Sequence, residues 1–290
     1  MLSVLSLGWG VQSWTIAAMS ALGELPQVDV AIHSDTTWEA QATYAFARVW
    51  TPWLEAHGVK VVTVSEARQA RRVVTGQTDI PAFTLNQKGD LGQLRRQCTQ
   101  RWKVAPIRRF IRAVQRGCTT YPLETRFVLA WRYRVPVFDY LRICNTVQPF
   151  TQVQQWLGIS LDEVERVKDS DVKYITNHYP LLDKHMRRAD CVSWLLAHNL
   201  PVPPKSACVF CPYHNLAAWQ ALKREGSADW QQAVRVDTAI RDQRPPYPLF
   251  IHPARKPLEE AVTISEDFGF EQLSLVDTDN APCDSGYCFL

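Results

Sequence analysis

Residues suited to chemistry gather at four places along the chain. The first is Ser6 to Ser13, read as Ser-Leu-Gly-Trp-Gly-Val-Gln-Ser, between the apolar run Met1 to Leu5 and a helix-like stretch from Trp14 to Leu22. A strand, a glycine-containing turn and a helix start in that order point backbone N–H groups at a bound phosphate. The same letters also serve as an ordinary chain reversal. The second is Asp35-Thr36, closing the β-branched run Val28 to Ser34, with Glu39 nearby. A carboxylate at such a strand end accepts hydrogen bonds from an adenosine ribose or base, and Thr36-Thr37 can equally cap the helical stretch Trp38 to His57. The third is Cys98, set among Arg95, Arg96, Arg101, Lys103, Arg108 and Arg109. Neighbouring cations favour the thiolate, which suits metal ligation or nucleophilic chemistry, although a solvated basic helix face that carries a thiol explains the same residues.

The fourth is the turn Cys208-Val209-Phe210-Cys211-Pro212. Two intervening residues fold the backbone so that both sulfurs converge on one metal. A single such turn is half a site. It is completed by a second thiol pair for zinc, by closure as a redox disulfide, or by thiolates elsewhere for an iron–sulfur cluster. Cys98 leads as a partner, and Cys283 or Cys288 follows. Cys118, Cys144 and Cys191 stand in apolar or helical surroundings that favour burial, and His214 suits a helix cap better than a ligand.

Elements must place these groups together. Val28 to Ser34 and Val59 to Ser65 read as parallel strands at crossover distance from the first, giving a β-α-β-α-β opening over about the first 65 residues. Glu66 to Leu94 reads as a long polar loop, or as a short helix followed by a flexible flap. Gly117 to Pro149 mixes strand-like Phe127 to Trp131 with turn signals. There Arg126, Arg132, Arg134 and Arg142 alternate with Trp131, Tyr133, Phe138 and Tyr140, a pattern shared by a single-strand nucleic-acid surface and by a core strand with a wet arginine face. Ser160 to Glu163 has capping-box spacing ahead of a helix to Lys168. Tyr174 to Leu182 reads as a strand, and Arg187 to His198 as a helix that Pro201 to Pro204 stops.

Composition narrows the class. At 290 residues, 46% hydrophobic and 21% charged, the chain is an ordinary globular protein. Its net charge of +3 hides a local excess: Arg95 to Arg142 holds eleven Arg and one Lys against Glu124 and Asp139. Such a segment suggests a polyanionic partner. No apolar run approaches a membrane span of roughly 20 residues, and the N-terminus lacks a charged leader with a cleavage site, so no membrane partner and a cytoplasmic location are expected. Eight cysteines in a reducing compartment point to metal, redox chemistry or burial.

In order, the loop, Asp35-Thr36, Cys98-Thr99 to Lys103 and Arg108-Arg109, Gly158-Ile159 to Glu163 and Arg166, and Cys208-x-x-Cys211-Pro212 resemble the phosphoadenosine phosphosulfate (PAPS) reductase family. That family belongs to the N-type ATP pyrophosphatase, or PP-loop, superfamily. The resemblance runs from about residue 3 to about residue 225, and the chain is also similar to iron–sulfur members that act in DNA phosphorothioation and tRNA thiolation. It implies a Rossmann-like, doubly wound α/β fold with a mainly parallel sheet in residues 1–200, carrying a basic insert at about 95–149. A helical, cysteine-containing extension would occupy 201–290. It implies that Ser6, Gly8, Gly10, Gln12 and Ser13 cradle the phosphates of ATP or another adenine nucleotide with Mg²⁺, and that Asp35 and Thr36 contact the adenosine. Lys103, Arg108 and Arg109 would hold the phosphate or sulfate end. Cys98, Cys208 and Cys211 would hold a 4Fe-4S cluster with one open iron, or with Cys283 or Cys288 as fourth ligand.

Two departures from the family pattern stand in the loop and at the cysteines. Where the family reads S-G-G-x-D-S, this chain has Trp9 for a glycine and Gln12 for the aspartate, and its double cysteine has become Gln97-Cys98. The leading expectation is a PP-loop enzyme that adenylates or thiolates a nucleic-acid or nucleotide substrate with a sulfur or electron donor protein. The alternatives are a sulfonucleotide reductase with a nucleophilic tail cysteine, and a non-catalytic nucleotide or nucleic-acid binding module.

Overall fold

A computed structural model describes residues 1–76, 78–85, 91–117 and 122–267. Cys118, Cys283 and Cys288 lie outside the described residues.

The chain opens with β1 (Leu2–Ser6), α1 (Val11–Ala21), β2 (Val30–Asp35), α2 (Gln41–Ala56) and β3 (Val61–Ser65). The short helix weighed for the next stretch is α3 (Ala67–Arg71), and two strands that the sequence reading did not anticipate follow it, β4 (Phe83–Leu85) and β5 (Leu91–Gln93). A π-helical turn, Thr99–Val104, runs into α4 (Ala105–Gly117), followed by α5 (Leu123–Tyr133) and α6 (Val137–Cys144). Next come β6 (Val153–Trp156), a 3₁₀ segment Leu161–Arg166, β7 (Ile175–His178), α7 (Pro180–Asp183) and α8 (Arg188–Ala197). The chain continues through α9 (Leu216–Glu225), α10 (Ala228–Ile240), β8 (Leu249–Phe250) and α11 (Leu258–Asp267).

The main sheet has the order β3-β2-β1-β6-β7 with every pair parallel, so the architecture is the α/β, Rossmann-like one that the opening pattern predicts. Chain order reverses at β1, which pairs with β2 on one side and β6 on the other. The loops after β1 and β6 therefore part at a switch point, where such sheets bind ligands. Period-two alternation of apolar residues feeds both faces. Leu2, Val4, Val30, Ile32, Val62, Val64, Val153 and Ile175 meet α4, α5 and α6 on one face. Leu5, Ala31, Val61 and Trp156 meet α1, α2 and α8 on the other. A third core joins residues 70–102 to residues 209–262, and β8 pairs with β4 across it. Asp237 fastens that region by accepting the N–H groups of Ile251 and Leu258, each at 3.0 Å.

Several local expectations give way to tertiary packing. Phe127 to Trp131 is helical within α5, not a strand, because its inner face closes against α4 and α6 in the first core. Ser160 to Glu163 does not build a capping box: the following turn is 3₁₀ and breaks at Glu163 (φ −132°, ψ 23°), which turns its side chain inward to Arg166. At the head of α8 it is Asp190 that reaches back, its Oδ2 accepting from Arg187 N–H at 2.7 Å. The cap of α9 is Asn215, whose side chain accepts from Ala218 N–H at 2.8 Å, so His214 does not cap it. Among the described residues no helix is long and apolar enough to cross a membrane.

Candidate nucleotide site

The loop between β1 and α1 is pinned from three directions. Leu7 N–H donates to Ile32 O at 2.9 Å, Ser13 Oγ bridges Gly8 N–H and Gly10 O at 3.2 Å each, and Ser206 Oγ donates to Gly8 O at 2.5 Å. Ser6 Oγ, behind the loop, accepts from Gln155 Nε2 of β6 at 2.8 Å. The N-cap of α1 is Gly10, which has no side chain to cap it, so the first turn points its N–H groups toward the carboxyl edge of the sheet.

Trp9, where the family pattern has glycine, sits at φ 59°. That left-handed backbone is what glycine adopts freely and what other residues occupy at a cost of roughly 1–2 kcal/mol. Its ring is buried, with centroids 6.1 Å from both Trp14 and Phe46, so aromatic packing holds the turn that glycine would make unaided. Gln12 is also buried, and Arg188 at the head of α8 reaches it, with Nη1 3.3 Å from Oε1. Arg188 lies 176 residues from Gln12 in sequence, and nothing in the linear pattern marks it.

The loop after β6 presses on the same turn. A Cβ on Gly158 would lie 2.9 Å from Ser13 N and 3.2 Å from Gln12 Cβ, so this position admits only glycine without displacing the α1 N-terminus. Behind it, Glu163 Oε2 lies 2.9 Å from Arg166 Nη1, both side chains buried. Burial pushes the Glu163 carboxyl up to about 8, while Arg166 and Arg188 pull it back. Because this value is above the unfolded one, the contribution is fully present below the ordinary carboxyl range and is lost as pH rises through about 8. Glu163→Gln should therefore gain thermal stability relative to wild type as pH is raised from acid to about 8. A difference in Tm that stays flat over that window refutes the assignment.

At the end of β2, Asp35 Oδ1 accepts from Thr37 N–H and Tyr44 Oη, each at 2.7 Å, which shapes the strand exit rather than leaving the carboxylate open. Thr36 Oγ1 lies 3.2 Å from Glu39 Oε1 and 3.4 Å from Cys208 Sγ. Lys103 Nζ forms an ion pair with Glu39 Oε1 at 3.2 Å, and Glu39 Oε2 is buried with no hydrogen-bond partner among the described residues.

The three expected phosphate-holding cations do not converge on the loop. Lys103 serves Glu39, Arg108 pairs with Asp171, and Arg109 pairs with Glu66. Arg108 instead lines a cavity of about 250 Å³ at the carboxyl ends of β6 and β7, together with Gln155, Leu157, Lys168, Asp171 and Asn177. A cation that does reach the loop is Arg188.

The cysteine segments are neighbours. Asp79 O accepts the N–H groups of Gln97 and Cys98 at 2.9 Å, while Asp79 carboxylate oxygens take Arg101 Nη1 at 2.5 Å and Trp102 Nε1 at 3.2 Å. The segment so held packs Trp102 against Phe210 (6.5 Å between centroids) and lays Arg96 over Tyr213 (5.4 Å). His214 Nε2 lies 3.0 Å from Cys208 O, and burial lowers its pKa to about 4. Among the described residues, no group of three or more His, Cys, Asp or Glu side chains is arranged to hold a metal ion. Cys98 and Cys208 thus pack against one core, with Cys211 buried three residues on, and among the described residues the three are not grouped to hold a metal. Cys144 and Cys191 are buried, and burial pushes the Cys191 thiol up to about 12.

No model of a known protein family matches this chain, and no characterised protein matches it in sequence.

Proposed function

We propose that the carboxyl edge of the main sheet binds an adenine nucleotide and that the chain adenylates a nucleic-acid or nucleotide acceptor. The observation that carries this reading is the uncapped α1 N-terminus at the topological switch point, pressed by Gly158 and faced by Arg188. Phosphate oxygens accept from the N–H groups of the first turn, and Arg188 offsets their charge. The Asp35-Thr36 exit of β2 receives the adenosine end, two strands' width away from the β6–β7 cavity.

In the proposed reaction an acceptor oxygen attacks the α-phosphorus of ATP. The bond from that phosphorus to the β-bridging oxygen breaks, and pyrophosphate departs on the loop amides. Mg²⁺ entering with the nucleotide would supply further charge neutralisation. The cavity beside Arg108 and Lys168, which Asp169, Ser170, Asp171 and Asn177 also line, offers the acceptor a room with donors and acceptors of both charges. Gln12 neither titrates nor bears charge, so its part is to hold Arg188 in place.

Exchange of labelled pyrophosphate into ATP tests the chemistry, and titration with a fluorescent ATP analogue tests the binding. Arg188→Ala should weaken nucleotide binding by roughly tenfold, the effect of losing one hydrogen bond to a charged group. Equal affinity in the variant would remove Arg188 from the site. Among the described residues Cys98, Cys208 and Cys211 are not grouped to hold a metal, and the proposed steps use none. Anaerobic purification with iron, sulfide and zinc analysis is the direct check: stoichiometric iron that is lost in Cys98→Ser would restore the cluster.

A further inference from the structure

We propose that the outer face of the α5–α6 hairpin is the docking surface for a single-stranded nucleic acid, which names the acceptor class and, to that extent, rests on the reading above. The surface is built by helical spacing. Phe127, Val128 and Trp131 stand at i, i+1 and i+4 on α5 and turn outward, while Ala130 turns inward to the first core. Trp131 is 82% exposed and Phe138, at the start of α6, is 90% exposed. Large aromatic rings held this far into water on ordered helices cost hydration without folding benefit, which marks them as contact groups.

The chemistry around the rings identifies the occupant. Trp131, Arg132, Arg134, Val135 and Val137 line an open groove of about 500 Å³. Arg132 and Arg134 are exposed, whereas Arg126 bonds to Asn145 Oδ1 at 2.7 Å and Arg142 is taken up by Glu55, Asp139 and the Val61 carbonyl. The face therefore offers flat apolar rings flanked by guanidinium groups. An apolar protein partner would match the rings and leave the cations unanswered. A single strand matches both, with unstacked bases on the rings and phosphates on the arginines.

Position supports the same occupant. Arg134 lies close enough to Arg109 for its charge to act on it, and Arg109 pairs with Glu66 directly after β3. Arg134, at the edge of the aromatic face, is thus near the Arg109–Glu66 pair at the carboxyl end of β3. Tyr140, by contrast, is buried, and Tyr133 carries Arg116 over its ring, so neither belongs to the surface.

The test uses the full chain and fluorescein-labelled single strands of about 16 nucleotides, as DNA and as RNA, read by anisotropy. Trp131→Ala and Phe138→Ala should each weaken binding roughly tenfold, the loss of about one stacked base. Arg132→Ala with Arg134→Ala should lower the slope of log affinity against log salt by about 1.4, two phosphate contacts on a single strand. Binding of the fluorescent ATP analogue should not change in any of these variants. Undiminished oligonucleotide binding in the variants overturns the proposal. So does an equal or stronger response to duplex, or a variant that only dissociates a wild-type dimer in sedimentation, which would assign the face to a second copy of the chain. If the variants lose oligonucleotide binding but the wild-type protein shows neither ATP binding nor pyrophosphate exchange, the surface stands and the adenylation reading falls.

Discussion

Replacing Gly158 with alanine should weaken nucleotide binding by on the order of a hundredfold while leaving the protein folded. The new Cβ would meet Ser13 N at 2.9 Å and Gln12 carbons at 3.2 Å. Those atoms belong to the first turn of α1, and most are backbone, which cannot swing aside as a side chain does. Either the loop after β6 retreats or the α1 N-terminus moves, and in both cases the N–H groups lose their aim at the phosphate. Displacement of about 1 Å is enough for such a loss. Stability should change far less: overpacking costs about 1–3 kcal/mol, and the reduced freedom of the unfolded chain returns about 0.4–1 kcal/mol of it. Gly158 has no left-handed φ, so crowding alone is at work. The pair of measurements is a fluorescent ATP analogue titration and a thermal melt. Full affinity in the alanine protein would mean that phosphate does not rest on this turn.

Lys103→Met should be the most destabilising single change among the candidate site residues, by about 3–5 kcal/mol. The Lys103 and Glu39 side chains are only 7% and 1% exposed, and removing the ammonium leaves a carboxylate buried without its countercharge. Glu39 Oε2 already has no hydrogen-bond partner among the described residues, so the remaining interactions cannot absorb the loss. At about 2–4 °C per kcal/mol, Tm should fall by on the order of 10 °C. The double variant Lys103→Met, Glu39→Gln should recover most of that loss, because it removes the stranded charge along with its partner. A single variant that melts with wild type would show that Lys103 is not structural, and would return it to the phosphate-binding role that the sequence pattern implies. The two outcomes differ in kind, since a phosphate-holding lysine moves affinity and a buried counterion moves Tm.

The contrast between Lys103 and Arg188 shows how far linear pattern reaches. Lys103 stands in a strongly basic stretch, and its charge is spent on a carboxylate under the end of β2. Arg188 stands in no motif and meets Gln12 only because α8 packs beside α1. A charge read from sequence has no direction until its neighbours in space are known. The same holds for Trp9, whose left-handed backbone is bought by contacts with Trp14 and Phe46, and for Phe127 to Trp131, whose strand-like letters become helix once α4 and α6 bury one face.

By itself the amino-acid order determined the parallel α/β opening. Apolar alternation, crossover spacing and a glycine-bearing turn are local properties, and β1, α1, β2, α2 and β3 follow from them within a few residues. It also determined that the Cys98 and Cys208 segments carry thiols, and that a strongly cationic stretch precedes Val153. Tertiary structure alone decided the partners: Arg188 at the loop, Gly158 against Ser13, Lys103 beneath Glu39, and Trp131 with Phe138 in water while Tyr140 is buried. The physical reason is that hydrogen bonds, ion pairs and steric exclusion act over a few ångströms in space. The β1–β6 switch point brings residues more than a hundred positions apart within that range.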